Sequence, residues 1–201
     1  MNNRANLRPA KGDALIVVDV QNDFLPGGNL GVPEGDAVVP IMNRYLALFR
    51  RSKLPVYATR DWHPEGHCSF KAQGGPWPPH CVANSKGAAF ASDLDLGDDV
   101  AVISKATTVE KDAYSGFAGT DLAERLRKQK VNRVFIGGLA TDYCVLNTVK
   151  DALKDGFKVL LLEDGIRGVD VNPGDSEKAI NEMHALGARS VRLEDVEPTH
   201  A

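Results

Sequence analysis

The sequence predicts a three-layer α/β/α domain built on a mostly parallel, six-stranded sheet. Short, continuous apolar runs rich in β-branched residues recur along the chain, as strands buried on both faces require. Between them lie segments whose apolar residues return every three or four positions, the period of a helix packed by one face. Alternation of the two kinds implies βαβ units.

Taken in order, Ala14–Val18 is the first such run and reads as a strand. Val38, Ile41, Met42, Tyr45, Leu46 and Phe49 then mark an amphipathic helix. Residues 55–59 and 100–104 read as the second and third strands. Thr120 is a fitting cap for a helix through Leu122 and Leu126. A fourth strand at Arg133–Ile136 ends at Gly137-Gly138, and a helix from about Asp142 to Asp155 stops at Gly156. Residues 158–162 make a fifth strand. Ala179, Ile180 and Met183 line a helix ending at Gly187, before a short strand near Val191. The segment from Asp61 to Gly97 breaks this rhythm and is too long for an idle connection. No repeat or linker interrupts the chain, so residues 1–201 are expected to form one domain.

Composition narrows the function. The chain has 201 residues, 43% hydrophobic and 25% charged, the balance of a soluble globular protein. A net charge of -3, with basic residues scattered, gives no electrostatic reason to expect nucleic acid or anionic membrane as a partner. No apolar run approaches bilayer length, and Met1–Lys11 lacks the apolar core of a secretory signal. Three cysteines, Cys68, Cys81 and Cys144, are too few and too unevenly spaced for a disulfide framework. A reducing, cytoplasmic setting is therefore expected. Oligomeric state, a homo-oligomer included, is not legible from pattern.

Ligands of open α/β sheets bind at the carboxyl ends of the strands. Asp19 follows the first strand, Asp61 and His63 the second, Lys105 the third, and Ala140-Thr141-Asp142-Tyr143-Cys144 the fourth. A carboxylate, a metal-type cluster, an ammonium and a thiol thus converge on one rim. Cys144 falls in the first turn of a helix, where the dipole favours thiolate over thiol; a small buried apolar role is the alternative. The N–H groups of Ala140 and Cys144 are candidates for an oxyanion hole. Asp19 is suited to take the thiol proton and return it to a leaving amine, although Asp23 is equally eligible by spacing. Lys105 would hold Asp19 and the thiolate in place by charge, unless it is a solvated strand-end lysine.

Asp61-Trp62-His63-Pro64-Glu65-Gly66-His67 sets one carboxylate and two imidazoles within seven positions, and His80 adds a third imidazole. Such donors suit Zn²⁺, Mn²⁺ or Fe²⁺ and leave positions open for water or substrate. Cys68 and Cys81 adjoin candidate histidines and are weaker ligand candidates. A structural staple for the long loop is the alternative use of the metal. His184 and His200 are assigned no role.

These residues resemble the nicotinamidase branch of the isochorismatase-like cysteine hydrolases. The likeness runs over nearly the whole chain. It rests on Val17–Phe24, Asp61-Trp62-His63 with His67, Trp77-Pro78-Pro79-His80-Cys81-Val82, Ile103-Ser104-Lys105, Asp112–Phe117 and Gly138–Val145. It implies a triad of Asp19, Lys105 and Cys144, and a divalent metal, zinc first, held by Asp61, His63, His67 and His80. It further implies a cis peptide between Leu139 and Ala140, and a substrate pocket of Phe24, Leu30, Trp77, Tyr114 and Tyr143. The implied reaction is hydrolysis of nicotinamide, and of its isostere pyrazinamide, through a cysteine thioester. Two rivals remain at this point: an amidase of the same superfamily acting on a ureido or carbamoyl substrate, and a non-catalytic metal-binding or redox-thiol domain.

Overall fold

The run Asp13–Val18 forms a strand, β1, whose six side chains are all buried, because the sheet is covered on both faces. Leu15 and Val17 enter one apolar cluster, with Met42, Tyr45, Leu46, Phe49 and Phe135. Ala14, Ile16 and Val18 enter a second, with Leu122, Leu126, Val145, Val149 and Met183. Side chains alternate across a strand, so β1 supplies the centre of two separate cores. The computed structural model describes residues 7–197; His200 lies outside them.

The other strands are β2 (Val56–Asp61), β3 (Ala101–Lys105), β4 (Arg133–Leu139), β5 (Lys158–Arg167) and β6 (Arg189–Val191). They pair in the order β3-β2-β1-β4-β5-β6, every pair parallel. Helices α1 (Val38–Arg51) and α5 (Leu193–Val196) cover the first face. Helices α2 (Leu122–Lys128), α3 (Leu146–Lys154) and α4 (Asp175–Ala185) cover the second. Among the described residues no helix is long and apolar enough to cross a membrane.

The expected elements are present, with three differences that bear on the site. Asp61 and Lys105 are the last residues of β2 and β3 rather than the first residues past them. Strand β4 does not stop at the glycine pair but runs through it to Leu139, with a register shift against β5 between Ile136 and Gly138. Glycine is required there: Gly138 has φ +124°, and a Cβ would lie 2.0 Å from the Val18 carbonyl oxygen of β1. The expected break is thus a close approach of two strands. Finally, the segment after β4 begins as a π-helical turn, Thr141–Val145, before continuing as α3.

The long connection from β2 to β3 carries no strand and one short 3₁₀ turn, Lys71–Gln73. Backbone hydrogen bonds within the loop take the place of periodic packing. His63 N–H donates to the Cys81 carbonyl (3.0 Å) and Ala83 N–H to that of His63 (2.8 Å), which folds the loop back on itself.

A Gly138→Ala variant should lose at least about 3 kcal/mol through backbone strain and collision with β1. For a chain of this size that is a fall of about 6–12 °C in Tm, readable by thermal denaturation. A Tm within about 2 °C of the parent would contradict the close approach.

Candidate active site

Four strand ends deliver four side chains to one buried cluster. Lys105, only 1% exposed, is its centre. Its ammonium lies 2.9 Å from Asp19 Oδ2, hydrogen-bonds Asp61 Oδ1, reaches the Ala113 carbonyl at 3.2 Å and Cys144 Sγ at 3.5 Å. The solvated-lysine alternative is excluded. A buried ammonium of this kind persists only where carboxylates surround it. Burial would lower its pKa, but Asp19 and Asp61 hold it well above the ordinary lysine value.

The two carboxylates are driven apart. Burial raises Asp19, against the pull of Lys105 and with the help of Asp61. Burial alone would also raise Asp61, yet the Lys105 ammonium reverses it and keeps that carboxyl well below the usual range. Asp19 is therefore the group fitted to carry a proton, and Asp61 the fixed anion. The Thr59 hydroxyl donates to Asp19 Oδ1 at 2.6 Å, which fixes the rotamer. Asp23, the rival by spacing, lies elsewhere: its oxygens accept the N–H groups of Cys81 (2.7 Å) and Asn29 (3.1 Å) and tie loops together.

Cys144 sits in the π turn and is 5% exposed. Burial pushes its thiol well above the ordinary value; Lys105 opposes this and the two carboxylates add to it. The resting group is a thiol, contrary to the thiolate expected from a helix N-terminus. Burial, aided by two neighbouring carboxylates, outweighs the pull of Lys105. The peptide between Leu139 and Ala140 is cis, as expected.

Beside the cluster, one ligand atom each from Asp61, His63 and His80 lies within 4.8 Å of the others. His63 Nε2 is buried without a hydrogen-bond partner. Its Nδ1 faces the Ala106 carbonyl (3.3 Å), and His80 Nδ1 faces that of Pro78 (2.8 Å). A carbonyl can only accept, so both rings carry their proton on Nδ1 and turn an Nε2 lone pair to Asp61 Oδ2, at 3.6 Å and 4.0 Å. A buried, unsatisfied imidazole nitrogen beside a carboxylate fits a divalent cation.

His67 does not join them. Its Nε2 must donate to the Lys111 carbonyl (3.1 Å), and Nδ1 meets the Ser69 hydroxyl (2.8 Å) and N–H (3.3 Å). Both ring nitrogens are thus engaged in hydrogen bonds. The ring instead stacks on His63, centroids 4.2 Å apart. Neither of the other thiols joins the set: Cys81 is fully buried, with its pKa raised by that burial, and Cys68 Sγ is 4.0 Å from His67 Nε2.

Above Cys144 opens a small pocket with about 30 Å³ of free space, partly open to solvent. Phe24, Leu30, Trp77, Tyr114 and Tyr143, the five residues expected from sequence, all line it, with Asp61, His80, Ala140 and Cys144. Trp77 Nε1 donates to the Tyr114 hydroxyl at 3.0 Å, and Tyr143 packs edge-on to Trp77. Thiol, metal-type cluster and aromatic walls share one space.

The isochorismatase domain profile matches residues 13–195. The chain belongs to the isochorismatase domain family. Among family members, the nicotinamidase of Escherichia coli strain K12 is 41% identical over 207 aligned residues, 92% of this chain and 97% of that one. The pyrazinamidase of Pyrococcus horikoshii, solved in complex with zinc, is 53% identical with a TM-score of 0.87, over 90% of this chain and 99% of its own. PnC1 from L. infantum, solved in complex with nicotinate, is 38% identical with a TM-score of 0.87, over 94% and 97%.

Sequence reading missed three supports of this family site. Gln21, fully buried, donates to the carbonyls of Asp61 (2.8 Å) and Ala88 (2.9 Å) and accepts the Asp61 N–H (2.8 Å). Phe70 packs its ring against His63, His67 and His80. Val169 lines the pocket. Gln21 carried a signal, a buried-type amide two residues past a strand-end aspartate; Phe70 and Val169 carried none.

Metal content of purified variants tests the ligand set. His80→Ala is expected to lose the metal, whereas His67→Ala should keep one equivalent with affinity weakened about 10–100-fold, as for an outer support. Equal loss in both would make His67 a ligand.

Proposed function

We propose that this chain hydrolyses nicotinamide to nicotinate and ammonia through a thioester on Cys144. The observation that supports this most is one ammonium, Lys105 Nζ, touching Asp19 (2.9 Å) and the Cys144 thiol (3.5 Å) beneath an aromatic-walled pocket. Nicotinamide and nicotinate are the substrate and product of the relatives' named activity, and a planar ring matches walls of Phe24, Trp77, Tyr114 and Tyr143 better than a ureido chain would.

Asp19 takes the proton of the Cys144 thiol, and Lys105 offsets the charge that moves onto sulfur. The thiolate attacks the carboxamide carbon. Peptide N–H groups of Ala140 and Cys144 receive the oxyanion. Asp19 returns its proton to the departing nitrogen, which leaves as ammonia. Water, deprotonated by Asp19, then cleaves the thioester and frees nicotinate. The raised pKa of Asp19 suits both halves of this shuttle.

A divalent ion held by Asp61, His63 and His80 would supply a Lewis-acid contact for the ring nitrogen and so orient the amide. One carboxylate with two imidazoles suits Zn²⁺ first, with Mn²⁺ and Fe²⁺ sharing the donor preference. Three free thiols fit a reducing, cytoplasmic setting.

Ammonia release from nicotinamide is the test. Cys144→Ala should lower kcat/KM by about a thousandfold or more, and Asp19→Asn by about 10²–10⁴-fold. Pyrazinamide, with the same amide and a ring nitrogen in the same relation, should also be hydrolysed. Retention of near-parental activity by Cys144→Ala would reject the mechanism, and no turnover by metal-replete parent protein would reject the substrate.

A further inference from the structure

The pocket has one wall that the catalytic assignment leaves without a role. Val169 belongs to the connection between β5 and α4, residues 168–174, and contributes an apolar side chain beside Phe24 and Leu30. It packs against the same apolar cluster as they do, although it is only partly buried. A loop residue of this kind needs something to hold it against the pocket, since a short exposed segment has little packing of its own.

That hold comes from the nucleophile's own turn. Asp142, two residues before Cys144, accepts the N–H of Val169 on Oδ1 (2.9 Å) and the N–H of Asp170 on Oδ2 (2.8 Å). Both oxygens of one carboxylate thus grip two successive peptide groups. The grip is extended by Asp170, whose carboxylate accepts the Ser176 N–H (2.8 Å) and hydroxyl (2.6 Å) in the first turn of α4. Asp170 has φ +49°, a backbone setting that local hydrogen bonds to a short side chain favour. Gly168 leaves room for the arrangement: a Cβ there would stand 1.7 Å from Ser176 Oγ and 3.2 Å from Asp142 Oδ1.

We propose that Val169 is a specificity-determining residue, and that Asp142 is the positioning residue that clamps it across the pocket, so that the turn carrying Cys144 also sets how large a ring is admitted. The two assignments rest on the nicotinamidase reading. Asp142 touches no reacting atom; it acts through the loop. Because the clamp and the nucleophile share one π turn, the wall is registered to the thiol. The ligand class follows: unsubstituted six-membered heteroaromatic amides fit, and rings with an added methyl toward the wall are turned away.

The experiment compares kcat/KM for nicotinamide and for nicotinamides bearing one ring methyl, placed in turn at C4, C5 and C6. In Val169→Ala the ratio of methylated to plain substrate should rise about tenfold or more for at least one position, the usual worth of one methyl in an apolar pocket. Val169→Phe should move that ratio the other way. Asp142→Ala should shift it in the direction of Val169→Ala, and Asp142→Asn, which keeps one acceptor, should shift it less. A purely structural Asp142 would depress all substrates alike and leave the ratio unmoved.

Tm values of the four variants identify any that fail to fold, and the two Val169 variants, altered at a partly exposed loop position, carry the decision. Ratios within roughly threefold of the parent at every ring position in both Val169 variants would overturn the proposal. Parent protein inactive on nicotinamide itself would overturn the underlying reading instead, so the two failures are distinct.

Discussion

One buried ammonium organises the site. Lys105 reaches two carboxylates and a thiol from the last residue of β3, in a place where water cannot solvate it. Desolvation of this ion is affordable only because Asp19 and Asp61 face it together. Each acid in turn depends on the lysine, since burial alone would protonate both. The three charges are therefore a unit, and their unequal surroundings give them unequal tasks. Asp61, hydrogen-bonded directly by the ammonium, stays ionised; Asp19, with a neutral Thr59 hydroxyl as its other neighbour, is fitted to exchange a proton.

Strand order explains why these groups meet. From β1 the chain builds outward to β2 and β3, then returns to lay β4 on the other side of β1 and continues to β5 and β6. The direction of winding reverses between β1 and β4, and a crevice opens at the carboxyl ends of strands at such a point. Asp19 follows β1 and Cys144 follows β4, so the proposed acid and nucleophile flank that crevice. Asp61 and Lys105 come from the next two strands and close it from one side. The close β1–β4 contact at Gly138 belongs to the same design, since it draws the two flanking strand ends together.

The parts of this arrangement legible in the sequence are those governed by period and by strand-end position. Apolar runs announced the sheet, and the residues at their ends announced Asp19, Asp61, Lys105 and Cys144. The resemblance supplied the pocket walls. Ring tautomers were not legible: whether His67 offers a lone pair depends on which carbonyl its Nε2 meets, and Lys111 is forty-four positions away. Nor was the state of Cys144. A helix N-terminus argues for thiolate, but the sum of Lys105, Asp19, Asp61 and burial argues for thiol, and only coordinates give that sum. Val169 was invisible for a third reason. It lies in a loop without periodicity, held by a carboxylate whose sequence neighbours suggest only a turn.

The division between strand ends and loops also assigns the two halves of recognition to different physics. Bond-making groups sit at the ends of a sheet buried on both faces, where close packing leaves little freedom. Much of the pocket lining sits on connections: Trp77 and His80 on the β2–β3 loop, Tyr114 between β3 and α2, Val169 between β5 and α4. Those connections are fixed by single polar residues reaching out from the rigid part, Gln21 to Asp61 and Ala88, Asp23 to Cys81, Asp142 to Val169 and Asp170. A fold arranged in this way can alter what it accepts while keeping the same proton shuttle and nucleophile, which is how one sheet edge can serve several amide substrates.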